Sequence, residues 1–541
     1  MKTINAILLL SVLGLNSSGQ NIKEKVMLFT DRSLYITGEN ILFSALLSPD
    51  AGSSILYCEI ITPEGSAVAG GKFNIANSRS SGSLYIPSDL VTGNYFIRAY
   101  TKLMRNDGPF SFSYLQIAII NPYLNEVLSN ETMPEADNIQ VKLQKESADY
   151  VKIIPDKKLA GTGDSIHVTL LNNSPQQSFR NISLAVVPDS LPQYSQVILP
   201  GTRFEKESFS PEINGVHVTG SVTEKTGGQS IKDMIVNLSI LGRGRDFMTA
   251  ITDSAGRFAF ILRGYSGYRD LFLCTAEDSV GQKITIDNDF CTTPIAVPAS
   301  HFSLTQAERR AAYRMALNVQ VDSLFRIKPA TDTSPADNIE DAYFYGTPDE
   351  TIKIDNYVQL PALEDYFNEL PTLVKIRKSG GHKYFRILGD QTGLSEFHPL
   401  VMIDLVALND PGRIAGISPR DLDRIEVINS FYVKGAQVYG GIINLISKRG
   451  DFAGIDLPSS GVFARYGFPV EKTDEIKFTA QKSGPDARNT LIWIPHLILT
   501  TQSTFSFTAP PTPGRYLITV KGVTADGREF ISAVSFEVLP G

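Results

Sequence analysis

The stretch Thr30-Asp31-Arg32-Ser33-Leu34-Tyr35-Ile36-Thr37-Gly38-Glu39-Asn40-Ile41-Leu42-Phe43 decides how the rest of the chain is read. Two strand-like runs flank Ile36-Thr37-Gly38-Glu39, where Gly38 can take the positive φ a turn needs. Beyond the turn, Ile41 and Phe43 fall on one side of a strand, and Tyr35 offers a broad packing face. Outward from here the pattern repeats. Val26 to Leu47 makes two strands about the turn, and Ile55 to Ile61, Tyr95 to Tyr100 and Phe112 to Ile120 make more. Asn121-Pro122 closes this unit, because Pro cannot continue a paired central strand.

The Thr30 to Phe43 run resembles the macroglobulin-type β-sandwich domain over residues 22–122. A second sandwich is expected over 138–203, with Gly161-Thr162-Gly163-Asp164 as the comparable turn. Over 204–300 the chain is similar to the small regulatory sandwiches of carboxypeptidases and outer-membrane receptors. Val218-Thr219-Gly220-Ser221-Val222 and the hairpin pattern Thr252-Asp253-Ser254-Ala255-Gly256-Arg257-Phe258-Ala259-Phe260 carry that likeness. Asp253 reads as a turn residue, since a calcium site would need several more oxygen ligands beside it.

A helix and linker occupy 301–342. The helix, Thr305 to about Arg326, opens on the capping box Thr305-Gln306-Ala307-Glu308 and carries Ala312, Met315, Val319 and Leu324 as its apolar face; Lys328 to Asn338 reads as a linker. A small α+β domain over 343–455 follows. Val401 to Asp404, Ile425 to Ile428 and Ile442 to Ile446 are short apolar strands, and Pro419-Arg420-Asp421-Leu422 is a helical turn. Gly440-Gly441 permits a close backbone approach before the last of these strands. The ordered series Pro399 to Asp404, Ile417 to Val427 and Tyr439 to Lys448 resembles the plug domain of TonB-dependent outer-membrane receptors. A last sandwich is expected over 456–541, where Gly514-Arg515-Tyr516 repeats the pattern of Gly93-Asn94-Tyr95. The fold class is therefore mainly β: several macroglobulin- or immunoglobulin-like sandwiches plus one α+β plug-like domain.

Too little chain follows Asp451 for a large receptor barrel. In the receptors it resembles, plug arginines face carboxylates on the enclosing wall. Arg424 is accordingly the candidate docking residue, to be solvated, paired with Asp421 or Asp423, or engaged by a separate protein.

At 541 residues the chain exceeds one core, and 42% hydrophobic with 20% charged residues is ordinary globular composition. A net charge of -7 without a long Lys/Arg cluster argues against nucleic acid as partner. Residues 1–19 read as a secretory signal, with Lys2 ahead of the apolar Ala6 to Leu15 and small residues Ser17, Ser18 and Gly19 after it. No later run is apolar for the roughly 20 residues a spanning helix needs, so no transmembrane segment is expected in the mature chain.

Cys274 and Cys291 could pair in an oxidising compartment, with Cys58 left over, although Leu271-Phe272-Leu273 suits Cys274 to a buried thiol. The thioester run of protease-trapping macroglobulins is absent, as are a His-Glu-x-x-His pattern, a nucleophile elbow and a phosphate loop. Expected, then, is an exported, non-enzymatic protein of the periplasm or outer membrane, without cofactor or metal, that binds an outer-membrane or periplasmic protein. Glycan binding or adhesion, protease inhibition without the thioester, and a part in TonB-dependent uptake are the alternative readings.

Overall fold

The computed structural model describes residues 23–128, 150–325, 344–469 and 485–540, apart from short breaks at 175–177, 195, 200, 202–207, 243–244, 277–280, 371–372, 380–381, 390, 409–413, 415–416 and 436. The expected signal segment, the linker Lys328 to Asn338 and the chain after residue 540 lie outside them.

The first sandwich packs the sheet Val26–Thr30, Asn40–Leu47, Arg79–Tyr85 on a larger one. That larger sheet runs in the order Gln196–Val197, Ser113–Ile120, Gly93–Tyr100, Ile55–Ile61, Ala67–Asn74, with Leu34–Ile36 parallel to Ser113–Ile120. Strand Asn40–Leu47 explains why its sequence is apolar almost without a break. Ile41, Phe43, Ala45 and Leu47 point into this core, while Leu42 meets Trp493, Ala185 and Val187, and Leu46 meets Val523. A strand buried on both faces needs no polar side. The turn behaves as its residues suggest: Gly38 sits at φ +85°, and Glu39 Oε2 accepts the Ile36 N–H at 2.8 Å. The same device recurs at the second turn, where Gly163 has φ +80° and Asp164 Oδ2 accepts the Gly161 N–H at 3.1 Å.

The second and last sandwiches, expected as separate domains over 138–203 and 456–541, are one. Phe179–Pro188 lies between Gly514–Thr524 and Ile492–Ile494, and Ser165–Asn172 lies between Gln502–Thr508 and Val151–Pro155. A single core runs through both halves, from Ile166, Val168 and Leu184 to Ile518, Val520 and Phe536. Neither half has the strands to cover its own apolar face, so each supplies what the other lacks. Two boundary segments also leave their expected units. Gln196–Val197 extends the first sandwich, and Val462–Gly467 pairs with Tyr268–Thr275 as an edge of the third.

The third sandwich is thus inserted in the second. Its sheets are Arg257–Leu262, Val216–Glu224, Gln282–Ile286 and Asp246–Ile251, Ile235–Leu241, Tyr268–Thr275, Val462–Gly467. Asp253 closes a turn: its Oδ1 accepts the N–H groups of Ala255 and Arg257 at 2.9 and 2.8 Å. Inserted in turn within this sandwich are the helix α1, Gln306–Phe325, and the 343–455 domain. The expected capping box opens α1, with Glu308 accepting from Thr305 N at 2.7 Å and Thr305 Oγ1 accepting from Glu308 N at 3.3 Å. Its buried residues are Ala311, Ala312, Met315 and Ala316, the last three packed on Leu34, Ile36 and Ala118; Leu324, expected on that face, is exposed.

The 343–455 domain carries a five-stranded sheet in the order Glu350–Lys353, Leu422–Ile428, Ile442–Ser447, Leu400–Ile403, Val406–Ala407, with the two-stranded sheets Val374–Ser379 with His382–Ile387 and Tyr432–Lys434 with Gln437–Tyr439 beside it. Gly441, at φ +97°, lies where a Cβ would meet Ile428 O at 2.4 Å, so only glycine fits this entry to Ile442–Ser447. The domain has its own core and rests on the third sandwich through Phe247, Met402, Leu405 and Ala407.

Candidate functional site

Charge is buried in this protein at the joints between domains. On the first sandwich, Glu59 and Arg98 each interrupt an apolar strand, and register places them opposite one another. Arg98 donates twice to Glu59 Oε2, at 2.7 and 3.0 Å, and Tyr100 OH donates to the same oxygen at 2.8 Å. Arg98 also donates to the backbone carbonyl of Cys291 at 3.0 Å, which ties the third sandwich to the pair.

Next to it, Asp289 receives two lysines of the first sandwich, Lys72 at 2.6 Å and Lys102 at 2.8 Å. Tyr466 OH bonds the same carboxylate. Lys72 continues to the carbonyl of Gly467 at 2.7 Å and Lys102 to that of His217 at 2.8 Å. Burial favours the protonated form of Asp289, but the two ammonium groups outweigh it and hold the carboxyl below its usual range. Glu212, completely buried, accepts from Tyr57 OH at 3.0 Å and from His217 N at 2.9 Å. Here burial wins. Its pKa is raised, with Lys102 3.8 Å away only partly opposing.

These opposite directions make a test. A carboxyl whose folded pKa lies above its unfolded value, about 4.3 for Glu, contributes stability in full below that value and loses it as pH rises through the folded pKa. Glu212→Gln should therefore be at least as stable as the parent at pH 7, and its relative standing should fall on acidification. Thermal unfolding at pH 7 and pH 5 reads this; a variant whose standing improves toward pH 5 would contradict it.

The opening motif forms a second joint, between the first and second sandwiches. Asp31 pairs with Arg32 at 3.2 Å, and Arg32 with Glu39 at 2.9 Å. Tyr35 OH lies 2.7 Å from Asp31 Oδ1, and Thr490 Oγ1 donates to Asp31 Oδ2 at 2.5 Å. Asn489 bridges Glu39 at 2.8 Å and the Met315 carbonyl of α1 at 3.1 Å. Burial opposes the Arg32 charge, yet Glu39 and Asp31 hold its pKa above the ordinary value.

Arg424 lies on Leu422–Ile428, just past a bulge. Its guanidinium bonds Asp423 Oδ2 at 2.6 Å and Glu426 Oε1 at 2.7 Å. Tyr345 OH donates to the other Glu426 oxygen at 2.5 Å and accepts from Asn444 Nδ2 at 2.7 Å, so the arginine terminates a polar chain that reaches the sheet interior. Of the two local partners expected, Asp423 is engaged; Glu426 joins it because residues two apart in a strand share a face. Cys58, Cys274 and Cys291 are all buried, and Cys274 and Cys291 are not joined in a disulfide.

Sequence reasoning missed Lys72, Lys102, Glu212 and Asp289, which come together across up to 217 residues. The available signal was a single charge of opposite sign in each of two apolar strands, Glu59 and Arg98.

Strands and buried joints together define the class: a mainly β, multi-domain protein built from β-sandwiches. No helix among the described residues is long and apolar enough to cross a membrane. No family model matches the chain, and no curated protein does. Among solved structures it is similar to a Salmonella alpha-2-macroglobulin mutant, with 10% identity, 95% of this chain and 39% of that one covered, and a TM-score of 0.23. Escherichia coli alpha-2-macroglobulin in its native conformation matches at 11% identity and the same TM-score, over 96% of this chain and 40% of that one. The BSP domain of a biofilm-associated protein matches 49% of this chain at 12% identity and a TM-score of 0.13. The chain spans about two fifths of the macroglobulin structures' length. At such scores the likeness carries no argument about activity.

Proposed function

We propose that this chain is a non-enzymatic, exported scaffold of the outer membrane or periplasm that binds a separate protein through its 343–455 domain. The observation that carries the reading is where the buried charge goes. Asp289, Glu59, Arg98, Asp31 and Arg32 are spent on one another and on backbone groups at domain joints, which suits a rigid frame. Apolar contact alone tolerates sliding, whereas matched buried charges accept one alignment. Plug-like resemblance over 343–455 supports that domain as the docking element, and Arg424 as a docking residue would share its charge with a partner carboxylate beside Asp423.

The test compares Arg424→Ala with the parent by thermal unfolding and by partner co-purification from outer-membrane extract. Docking through Arg424 predicts co-purification reduced about ten-fold or more, the scale of a desolvated charge pair at an interface, with a small stability change. Unchanged co-purification with a clear stability loss would assign Arg424 to the fold alone. The scaffold reading itself falls if the purified chain cleaves peptides or glycans and one Asp, Glu, His or Cys substitution abolishes the cleavage.

A further inference from the structure

The two-stranded sheet Val374–Ser379 and His382–Ile387 is unlike its surroundings. Its strands hold Lys375, Arg377, Lys378, Lys383 and Arg386 and no acidic residue, in a chain of net charge -7. Register sorts them. Val374 lies opposite Ile387 and Ile376 opposite Phe385, on the face packed into the domain core. On the other face Lys375 lies opposite Arg386 and Arg377 opposite Tyr384. Lys378 lies opposite Lys383, and Glu364 pairs with Lys383. Lys375, Arg377 and Lys378 make no ion pair with any described residue, and Arg377 and Lys378 are exposed.

Like charges directly opposite across two strands repel, and nothing in the core requires them here. Arg386 is held by a carbonyl, Phe397 O at 3.2 Å, and by the Tyr384 ring 5.2 Å away, neither of which cancels its charge. Phe397 is itself 40% exposed and meets the half-exposed Phe431 edge-on, so aromatic surface adjoins the cations. A two-stranded sheet also leaves each strand an edge on which no strand among the described residues lies.

We infer that the outer edge of Val374–Ser379 receives an acidic, extended protein segment as a third strand. Main-chain hydrogen bonds would give affinity, and Glu or Asp side chains at every second position would fall opposite Lys375 and Arg377. The surface of anionic lipids is the competing source of negative charge. A strand edge beside exposed aromatic rings favours protein, since a lipid headgroup uses neither the edge's backbone groups nor their spacing. This rests on the docking role proposed for the domain and names the chemistry of the partner.

The experiment uses the full chain and a fluorescent octapeptide of alternating Glu and Val, read by anisotropy at low salt. A Glu-Pro octapeptide carries the same charge but lacks half the N–H groups. Vesicles of 30% phosphatidylglycerol in phosphatidylcholine are the lipid arm. The Glu-Val peptide should bind, at least ten-fold more tightly than the Glu-Pro peptide. Binding should fall at least ten-fold in the double variant Lys375→Glu, Arg377→Glu, with the melting temperature unchanged; if charge reversal unfolds the chain, Lys375→Gln with Arg377→Gln replaces it. No binding of the Glu-Val peptide, equal binding of both peptides, indifference to the substitutions, or binding to vesicles alone would each overturn the inference. Partner co-purification that survives the double variant would also overturn it while leaving the docking reading intact; absence of any partner from the parent chain would count against the docking reading instead.

Discussion

Asp289→Ala is expected to destabilise the chain by about 3–5 kcal/mol, the cost of leaving buried charge uncompensated. Two ammonium groups, those of Lys72 and Lys102, depend on this one carboxylate, and each side chain is about 5% exposed or less. Removing it leaves both lysines next to carbonyl oxygens and to the protonation-prone Glu212, which burial already pushes up. Because the pair joins the first and third sandwiches, calorimetry should show more than a lower melting temperature. The single event should broaden or divide as the two sandwiches lose their coupling. The pH dependence has the opposite sign to that of Glu212. A carboxyl depressed below its unfolded value, about 3.9 for Asp, contributes stability above that value and loses it as pH falls through the folded pKa. The penalty of Asp289→Asn should therefore be full at pH 7 and shrink in acid below about pH 4. A loss under about 1 kcal/mol at pH 7, the range of an exposed pair, would show that the joint is solvated.

Asp31→Ala should cost about as much, 3–5 kcal/mol on the same ground, and through a joint made by two ends of the chain. The carboxylate holds Arg32, lies against Tyr35 OH, and accepts from Leu42 N at 3.2 Å and from Thr490 Oγ1. Without it Arg32 keeps Glu39 alone, and Leu42 N and Thr490 lose an acceptor in a buried place. Thr490→Ala removes one hydrogen bond and should cost about 1 kcal/mol. Since both substitutions break the same bond, the double variant should be less destabilised than the sum, and urea unfolding of the four proteins measures that coupling. Strict additivity would mean that Asp31 acts within the first sandwich and leaves the closing strands untouched.

What could be read from sequence was local. Gly38 with Glu39 and Gly163 with Asp164 make the same turn, because a carboxylate three residues on accepts the N–H that the turn leaves open. Tyr95 and Tyr516 follow their glycines and each donates to a carbonyl four residues upstream, Val91 and Thr512, at 2.9 Å. The Thr305 and Glu308 box and the Asp253 turn belong with them: partners sit within a few residues, so spacing alone identifies them.

Only the tertiary structure decided that Phe179–Pro188 pairs with strands that begin more than 300 residues later, turning two expected sandwiches into one with the rest nested inside. Strand edges offer the same N–H and C=O groups to any neighbour, and which edge meets which is settled by the apolar faces that must be covered together. The joints were hidden for a related reason. Lys72, Lys102 and Asp289 read as ordinary surface charges in sequence, and nothing short of burial against the facing domain turns them into a cluster whose charges must be matched.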